Sequence, residues 1–150
     1  MKMRILAALW VALHAATDGE KLTVFFDKTI KNMQQKVKRI KANQSSETIK
    51  HEELIEDLNE QIEDAEQALE NSYIEIPEDA LKSNASMNDF QDEYFANIEH
   101  KQELVDRLKK LKEDAIESFN KKMKSSDESI AKFEALIAKL SEEEEVKKNK

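Results

Sequence analysis

The sequence predicts an all-α protein, built as a long antiparallel helical hairpin of the coiled-coil type. Three observations support this prediction. The 150 residues include one Gly and one Pro, too few for the many turns of a β domain or a doubly wound α/β domain. Charged residues make up 37% of the chain, against about 25% in ordinary soluble domains. Apolar residues recur at spacings of three and four over two long segments, which is the heptad pattern of packed helices.

The N-terminal segment, residues 1–17, is apolar and has two open interpretations. A basic start, an apolar run over residues 5–13 and a small-residue exit are the parts of a secretory signal peptide. The alternative is a short helix that packs against the rest of the protein. The apolar run is shorter than the roughly 18–20 residues of a bilayer span. The pattern therefore leaves export and an intracellular location equally open.

The first arm of the hairpin is predicted over residues 18–72. Thr17 and Glu20 have the spacing of an N-terminal capping box, so a helix can begin near Asp18. A polar stretch at residues 43–47 interrupts the apolar repeat and predicts a stutter or a soft kink. The apolar positions of this arm are Phe26, Ile30, Met33, Val37 and Ile40, followed by Ile55, Leu58, Ile62, Ala65 and Leu69.

A connection over residues 73–86 separates the two arms. Pro77 pushes Ile76 away from helical geometry, so the first helix is expected to end before it. Ser86 precedes a second capping pattern and places the start of the second arm near Met87. That arm is predicted over residues 87–141, and the charged residues 142–150 are expected to form a frayed tail. Its apolar positions include Phe90, Tyr94, Ile98, Leu104, Leu108, Leu111, Phe119, Ile130, Phe133, Ile137 and Leu140.

Arms of nearly equal length joined by a short connection predict an antiparallel pair. If the turn centres near residue 80, residue i faces about 160 minus i. Residues 47–70 carry ten acidic side chains and one Lys. They would face the basic residues of segment 90–113, so opposite charges would meet.

The apolar stripe is wider than a two-stranded coiled coil requires, because neighbouring apolar residues recur in pairs. A stripe of this width is typical of a helix inside a bundle. We therefore expect residues 3–16 or a second subunit to cover the hairpin, and a homo-oligomer if those residues are removed. The pairs are Phe25–Phe26, Leu54–Ile55, Leu104–Val105, Ala115–Ile116 and Leu136–Ile137.

Nothing in the sequence predicts a catalytic site, a metal site or a cofactor. The chain has no Cys, which excludes thiol nucleophiles and thiolate metal sites. His51 and Glu52 begin like a zinc-protease motif, but the position four residues after His51 is Ile55 rather than His. We interpret His51 and His100 as solvated surface side chains, and we expect the protein not to be an enzyme.

Two groups of residues are candidate binding sites. A basic band would bind a polyanion, such as nucleic acid, although a solvated helix face is the simpler interpretation because the net charge is −8. An apolar tip near the connection would contact a protein partner, with a local core over the turn as the simpler interpretation. The band comprises Lys31, Lys36, Lys38, Arg39, Lys41, Lys121, Lys122 and Lys124. The tip comprises Tyr73, Ile76, Phe90, Tyr94 and Phe95.

The function expected from these features is non-enzymatic protein–protein interaction or assembly, by a scaffold, an adaptor or a holdase-type chaperone. The partners would be proteins, including further copies of the chain. Binding of a polyanion or nucleic acid through the basic band is the second expectation. A membrane-associated coiled coil, held by residues 3–16, is the third.

Overall fold

The structure, a computed structural model, describes residues 19–74 and 87–149 and has the architecture of an all-α helical hairpin. Helix α1 runs from Gly19 to Ile74 and helix α2 from Met87 to Lys148. The described residues contain no strand. The predicted fold class is thereby confirmed. The predicted N-terminal segment 1–17 and residues 75–86 of the connection lie outside the described residues.

Helix α1 is continuous through the polar stretch at residues 43–47. Gln44 and Thr48 are half-buried there, four residues apart, and Gln44 follows the half-buried Ile40 by four residues. Two successive spacings of four replace the usual alternation of three and four, which is the pattern of a stutter. The polar residues therefore keep inward positions in the helix instead of ending it.

Helix α2 begins at Met87, as the capping pattern predicts, and extends beyond residue 141 to Lys148. The expectation of a frayed tail from residue 142 therefore differs from the structure. Glu144 is buried and lies four residues after the buried Leu140. This spacing continues the inward-facing row of α2 for one more turn.

The contacts divide the described residues into two units, and both helices contribute to each unit. Unit A contains residues 19–45 and 123–149, and unit B contains residues 46–74 and 87–122. In unit A the buried core is formed by Phe26, Met33 and Leu140. Phe26 is 1% exposed. The half-buried side chains packed against this core are Leu22, Ile30, Phe133, Leu136 and Ile137.

The core of unit B is narrow and consists of five buried side chains, with Leu69 packed against them. Val105 is the most deeply buried, at 2% exposure. The five are Leu58, Ile62, Ala65, Val105 and Leu108. Their spacings are four and three in α1 and three in α2, so one stripe of α1 packs against one stripe of α2.

The register of the pairing differs from the prediction. Glu47, expected opposite residue 113, forms an ion pair with Lys122. Glu66, expected opposite residue 94, pairs with Lys109 at 2.7 Å between Oε1 and Nζ. Partner numbers decrease as α1 advances, so the segments of unit B are antiparallel. Their pairing, however, is centred closer to Met87 than to residue 80.

Candidate interaction surfaces

The α1 members of the basic band do not share one face of the helix. Lys41 Nζ lies 3.1 Å from Oε1 of Glu134, and Lys36 Nζ lies 5.7 Å from the ring centroid of Phe133. At 3.6 residues per turn, positions 36 and 41 are separated by about 140° around the helix axis. These two lysines therefore contact α2 from opposite sides of the helix contact.

In the predicted pairing residue i faces about 160 minus i, so Lys124, Lys122 and Lys121 would lie across from Lys36, Lys38 and Arg39. The observed contacts differ. The positions across from Lys36 and Lys41 are held by Phe133 and Glu134. Lys122 belongs to unit B and pairs with Glu47. Lys31, Lys38, Arg39, Lys121 and Lys124 are exposed.

Three members of the predicted tip form a continuous row of rings, here called the aromatic group: Phe90, Tyr94 and Phe95. The centroids of Phe90 and Tyr94 lie 6.1 Å apart with the rings near parallel. Those of Tyr94 and Phe95 lie 5.7 Å apart in an edge-to-face arrangement, which aromatic pairs favour. Phe95 is nevertheless 63% exposed, so one ring of the group is presented to solvent.

Tyr73 lies at a shallow groove on the surface of unit B, and Ile76 lies outside the described residues. The groove has a volume of about 260 Å³ and is lined by Glu66, Leu69, Glu70, Tyr73, Gln102, Val105 and Lys109. Tyr73 is 55% exposed. Lys101 Nζ donates a hydrogen bond to the Oγ of Ser72 beside it, so α2 is attached to the last turn of α1 next to this groove.

A row of exposed leucines, here called the leucine flank, lies on unit B and consists of Leu54, Leu104 and Leu111. Their exposed fractions are 46%, 42% and 49%. Leu104 and Leu111 are seven residues apart and therefore share one face of α2. Two of these leucines come from the neighbouring apolar pairs seen in the sequence. In each of those pairs the other residue is buried or half-buried: Val105 beside Leu104 and Ile55 beside Leu54.

The leucine flank lies on the opposite side of the helix contact from the Glu66–Lys109 ion pair. Leu54 precedes Glu66 by twelve residues, a rotation of about 120° around α1. Leu104 precedes Lys109 by five residues, about 140° around α2. In an antiparallel pair, similar rotations in the same chain direction move the side chains of both helices from one side of the contact to the other. Leu54, Leu104 and Leu111 therefore lie on the same side of the helix contact in unit B.

Polar and aromatic contacts connect the helices at the end of unit B that contains Glu47. Hydrogen bonding and charge attraction from Lys122 lower the pKa of the Glu47 carboxyl. His51 stacks on Phe119 with parallel rings and 4.0 Å between centroids. The interpretation of His51 as a solvated surface residue is therefore wrong, whereas His100 is exposed as expected. The seven-residue spacing from His51 to the buried Leu58 was the sequence signal for its inward position.

The Glu66–Lys109 ion pair has a matching effect on the lysine. The hydrogen bond to Glu66, followed by its negative charge, raises the pKa of Lys109. Both side chains are about half exposed, so the pair contributes little to the free energy of unfolding. The pair shows which residues of α1 and α2 lie side by side in unit B.

Within residues 19–74 and 87–149, the His, Asp and Glu side chains form no group of three or more that could hold a metal ion. Over the same part of the chain, neither helix has an apolar stretch long enough to cross a membrane. No protein-family model matches the chain, and no curated protein and no solved structure is significantly similar to it.

Proposed function

We propose that this chain is a non-enzymatic protein–protein interaction or assembly protein that binds its partners through helical surfaces. The observation that supports it is the exposure of large apolar side chains on ordered helices. Phe95, Tyr73 and the three leucines of the leucine flank are between 42% and 63% exposed. Exposed apolar residues that are grouped and bordered by charged residues are typical of protein-binding surfaces.

The aromatic group is the surface best suited to a different protein as partner. Aromatic side chains contribute much of the binding energy in protein interfaces because they bury a large area with few rotatable bonds. Phe95 contacts Tyr94 edge to face and is 63% exposed, so most of its ring is available to a partner. A scaffold, an adaptor and a holdase-type chaperone would each use such a surface.

Site-specific photo-cross-linking in the cells that make the protein tests the proposal. A photoreactive side chain at Phe95 is expected to give a discrete cross-linked species containing a second protein. Ile49 is the matched control: it is 54% exposed, but the residues three and four positions away are Ser45, Ser46, Glu52 and Glu53. Equal labelling from both positions, or none from Phe95, would contradict the proposal.

A client assay separates the holdase from the scaffold and the adaptor. A holdase suppresses the light scattering of a thermally unfolding model enzyme, and Phe95→Lys should reduce that suppression while Ile49→Lys should not. A scaffold or an adaptor leaves the scattering unchanged but keeps the cross-link from position 95. Absence of both effects would leave no support for binding through the aromatic group.

A further inference from the structure

The groove at Tyr73, here called the Tyr73 groove, indicates the chemistry of a partner. We propose that this groove and the exposed ring of Phe95 bind a basic segment of another protein, whose Lys or Arg side chain enters the groove. The inference rests on the proposed function, because Phe95 belongs to both surfaces, and it adds the charge that the partner carries.

The Tyr73 groove and Phe95 lie on the same side of the helix contact. Gln102 lines the groove, and Phe95 precedes it by seven residues, so the two share one face of α2. The hydrogen bond between Lys101 and Ser72 puts Tyr73 close to the level of Lys101. Phe95 lies six residues before Lys101, which is about 9 Å along the helix axis. The two exposed rings therefore border one surface of unit B.

The size and the floor of the groove suit a single long side chain. Its volume of about 260 Å³ is below the roughly 300–1,000 Å³ of small-molecule sites. Val105 is buried and Leu69 half-buried, so these two lining residues form an apolar floor. Lys and Arg side chains pack their methylene stems on apolar surfaces while the charge stays in water. The ring of Tyr73 would attract that charge as well.

Carboxylates border the groove on both helices when each residue is placed by its rotation around the helix axis. Glu66 and Glu70 line the groove. Glu63 and Glu70 are rotated from Glu66 by about 60° and 40°, away from the helix contact. On α2, Asp106 accepts a hydrogen bond of 3.0 Å from the groove-lining Gln102. Glu63, Glu70 and Asp106 are exposed, so a partner can reach them.

The basic residues near this surface are engaged or directed elsewhere. Lys109 lines the groove and pairs with Glu66, and Lys101 donates hydrogen bonds to the end of α1. Arg107 and Lys110 are rotated from Lys109 by about 160° and 100° around α2, which directs them away from the groove. The surface therefore carries an excess of negative charge, and this charge selects a positively charged occupant.

The same charge argues against a second copy that binds through this surface. A two-fold interface joins a surface to itself, so the carboxylates of one Tyr73 groove would meet those of the other. Like-charge contacts of this kind oppose association. The complement of the groove is thus a basic segment of a different protein.

Selection from a phage-displayed library of random short peptides on the full chain tests the charge of the partner. Enriched peptides should contain Lys or Arg, and Glu63→Lys/Glu70→Lys should weaken their binding by at least about tenfold. Asp57→Lys/Asp64→Lys is the matched control. It makes the same charge change at the same spacing, on the Leu54 side of α1, and should weaken binding by less than about threefold.

Three results of this selection would overturn the proposal: no enriched peptide, enrichment of neutral or acidic peptides, or equal weakening by the two charge variants. The last result would mean that the peptides respond only to the net charge of −8. Circular dichroism at 222 nm on each variant checks that its helical content is retained.

Replacement of the two rings tests the aromatic part of the surface. Tyr73→Ala/Phe95→Ala should weaken binding of a fluorescently labelled selected peptide by at least about tenfold, measured by anisotropy. Leu104→Ala/Leu111→Ala removes exposed apolar side chains from the other side of the helix contact and should leave the affinity within about twofold. Wild-type affinity in the ring variant would overturn the proposal.

The photo-cross-link from Phe95 separates failure of this inference from failure of the proposed function. A cross-link that survives Glu63→Lys/Glu70→Lys supports the proposed function but overturns the basic partner. Peptide binding without any cross-link from Phe95 overturns the proposed function alone. Sedimentation velocity covers the remaining occupant: twice the chain mass of 17.4 kDa, lost only in Glu63→Lys/Glu70→Lys, would assign the surface to a second copy and overturn the proposal.

Discussion

Replacement of Phe26 with Ala measures how much of the stability resides in the core of unit A. The ring is 1% exposed and packs with Met33 and Leu140. Its face also lies 5.0 Å from Nζ of Lys147. Truncation of a buried Phe to Ala costs about 3–5 kcal/mol, and loss of an exposed cation–π contact adds about 0.5–1 kcal/mol. The better helix propensity of Ala reduces this loss of stability by about 0.5 kcal/mol.

The free energy of unfolding should therefore fall by about 3–5.5 kcal/mol. With an m-value of about 2 kcal/mol/M in urea, the unfolding midpoint of the transition that contains unit A would fall by roughly 1.5–2.7 M. The assay is urea unfolding followed by circular dichroism at 222 nm, with a constant m-value as the check that the native state keeps its compactness.

Phe95→Ala is the matched control because it deletes the same ring and gains the same helix propensity at a position 63% exposed. It should change the unfolding free energy by less than about 0.5–1 kcal/mol. Equal shifts for Phe26→Ala and Phe95→Ala would refute the reasoning, because burial could not then be what distinguishes the two positions.

Two further predictions concern charge. Lys122→Ala should raise the pKa of Glu47 toward its ordinary value, because Lys122 is the main cause of the lowered pKa. NMR titration of the Glu47 carboxyl carbon measures this shift, and an unchanged pKa would contradict the pairing. Since the folded pKa is lowered, the contribution of the pair is present above the ordinary pKa and is lost as the pH falls through the folded value. On a heparin column, the wild type should elute at low salt because the basic residues are spread around α1. The Lys36→Glu/Lys38→Glu/Arg39→Glu variant should elute at a similar salt concentration. Strong retention of the wild type alone would instead favour polyanion binding.

The helix ends were predictable because they depend on local signals. The capping pattern in the sequence before Met87 predicts a helix start at the residue where α2 begins, and Pro77 predicts a helix end close to Ile74, the last residue of α1. The end of α2 was missed because Glu144 is charged. Its inward position follows from its spacing to Leu140, which continues the heptad pattern despite the charge.

The register was not predictable in the same way. A heptad repeat lets two helices slide by seven residues and still match apolar side chains with apolar side chains. The charge pattern did not identify the register, because the acidic stretch of α1 meets basic residues of α2 in both alternatives. Glu47 and Glu66 pair with Lys122 and Lys109 in the observed register. In the predicted one Lys112 would lie near Glu47, and residues 90–98, around the position opposite Glu66, contain no Lys or Arg. The register therefore depends on side-chain packing between the helices, and each layer of packed side chains contributes only a small difference in free energy.

The candidate surfaces were predicted in part. The exposed leucines follow from the neighbouring apolar pairs, since a helix can bury only one residue of such a pair fully in a two-helix contact. The face that Leu54 shares with Leu104 and Leu111 required the observed register. The α1 residues of the basic band lie on several faces of the helix, as their spacing around the helix axis implies, and polyanion binding through them stays a prediction.

The register of the hairpin is the claim on which every surface assignment depends, and paired cysteines test it directly. In the full chain, His51→Cys with Phe119→Cys should be joined within one chain by a short thiol cross-linker, because these side chains are in contact. His51→Cys with Lys109→Cys, the pair expected for a turn centred near residue 80, should react far more slowly, since ten residues of helix separate positions 109 and 119 by about 15 Å. Preferential linkage of positions 51 and 109, or linkage of 51 to 119 only between chains, would contradict the account.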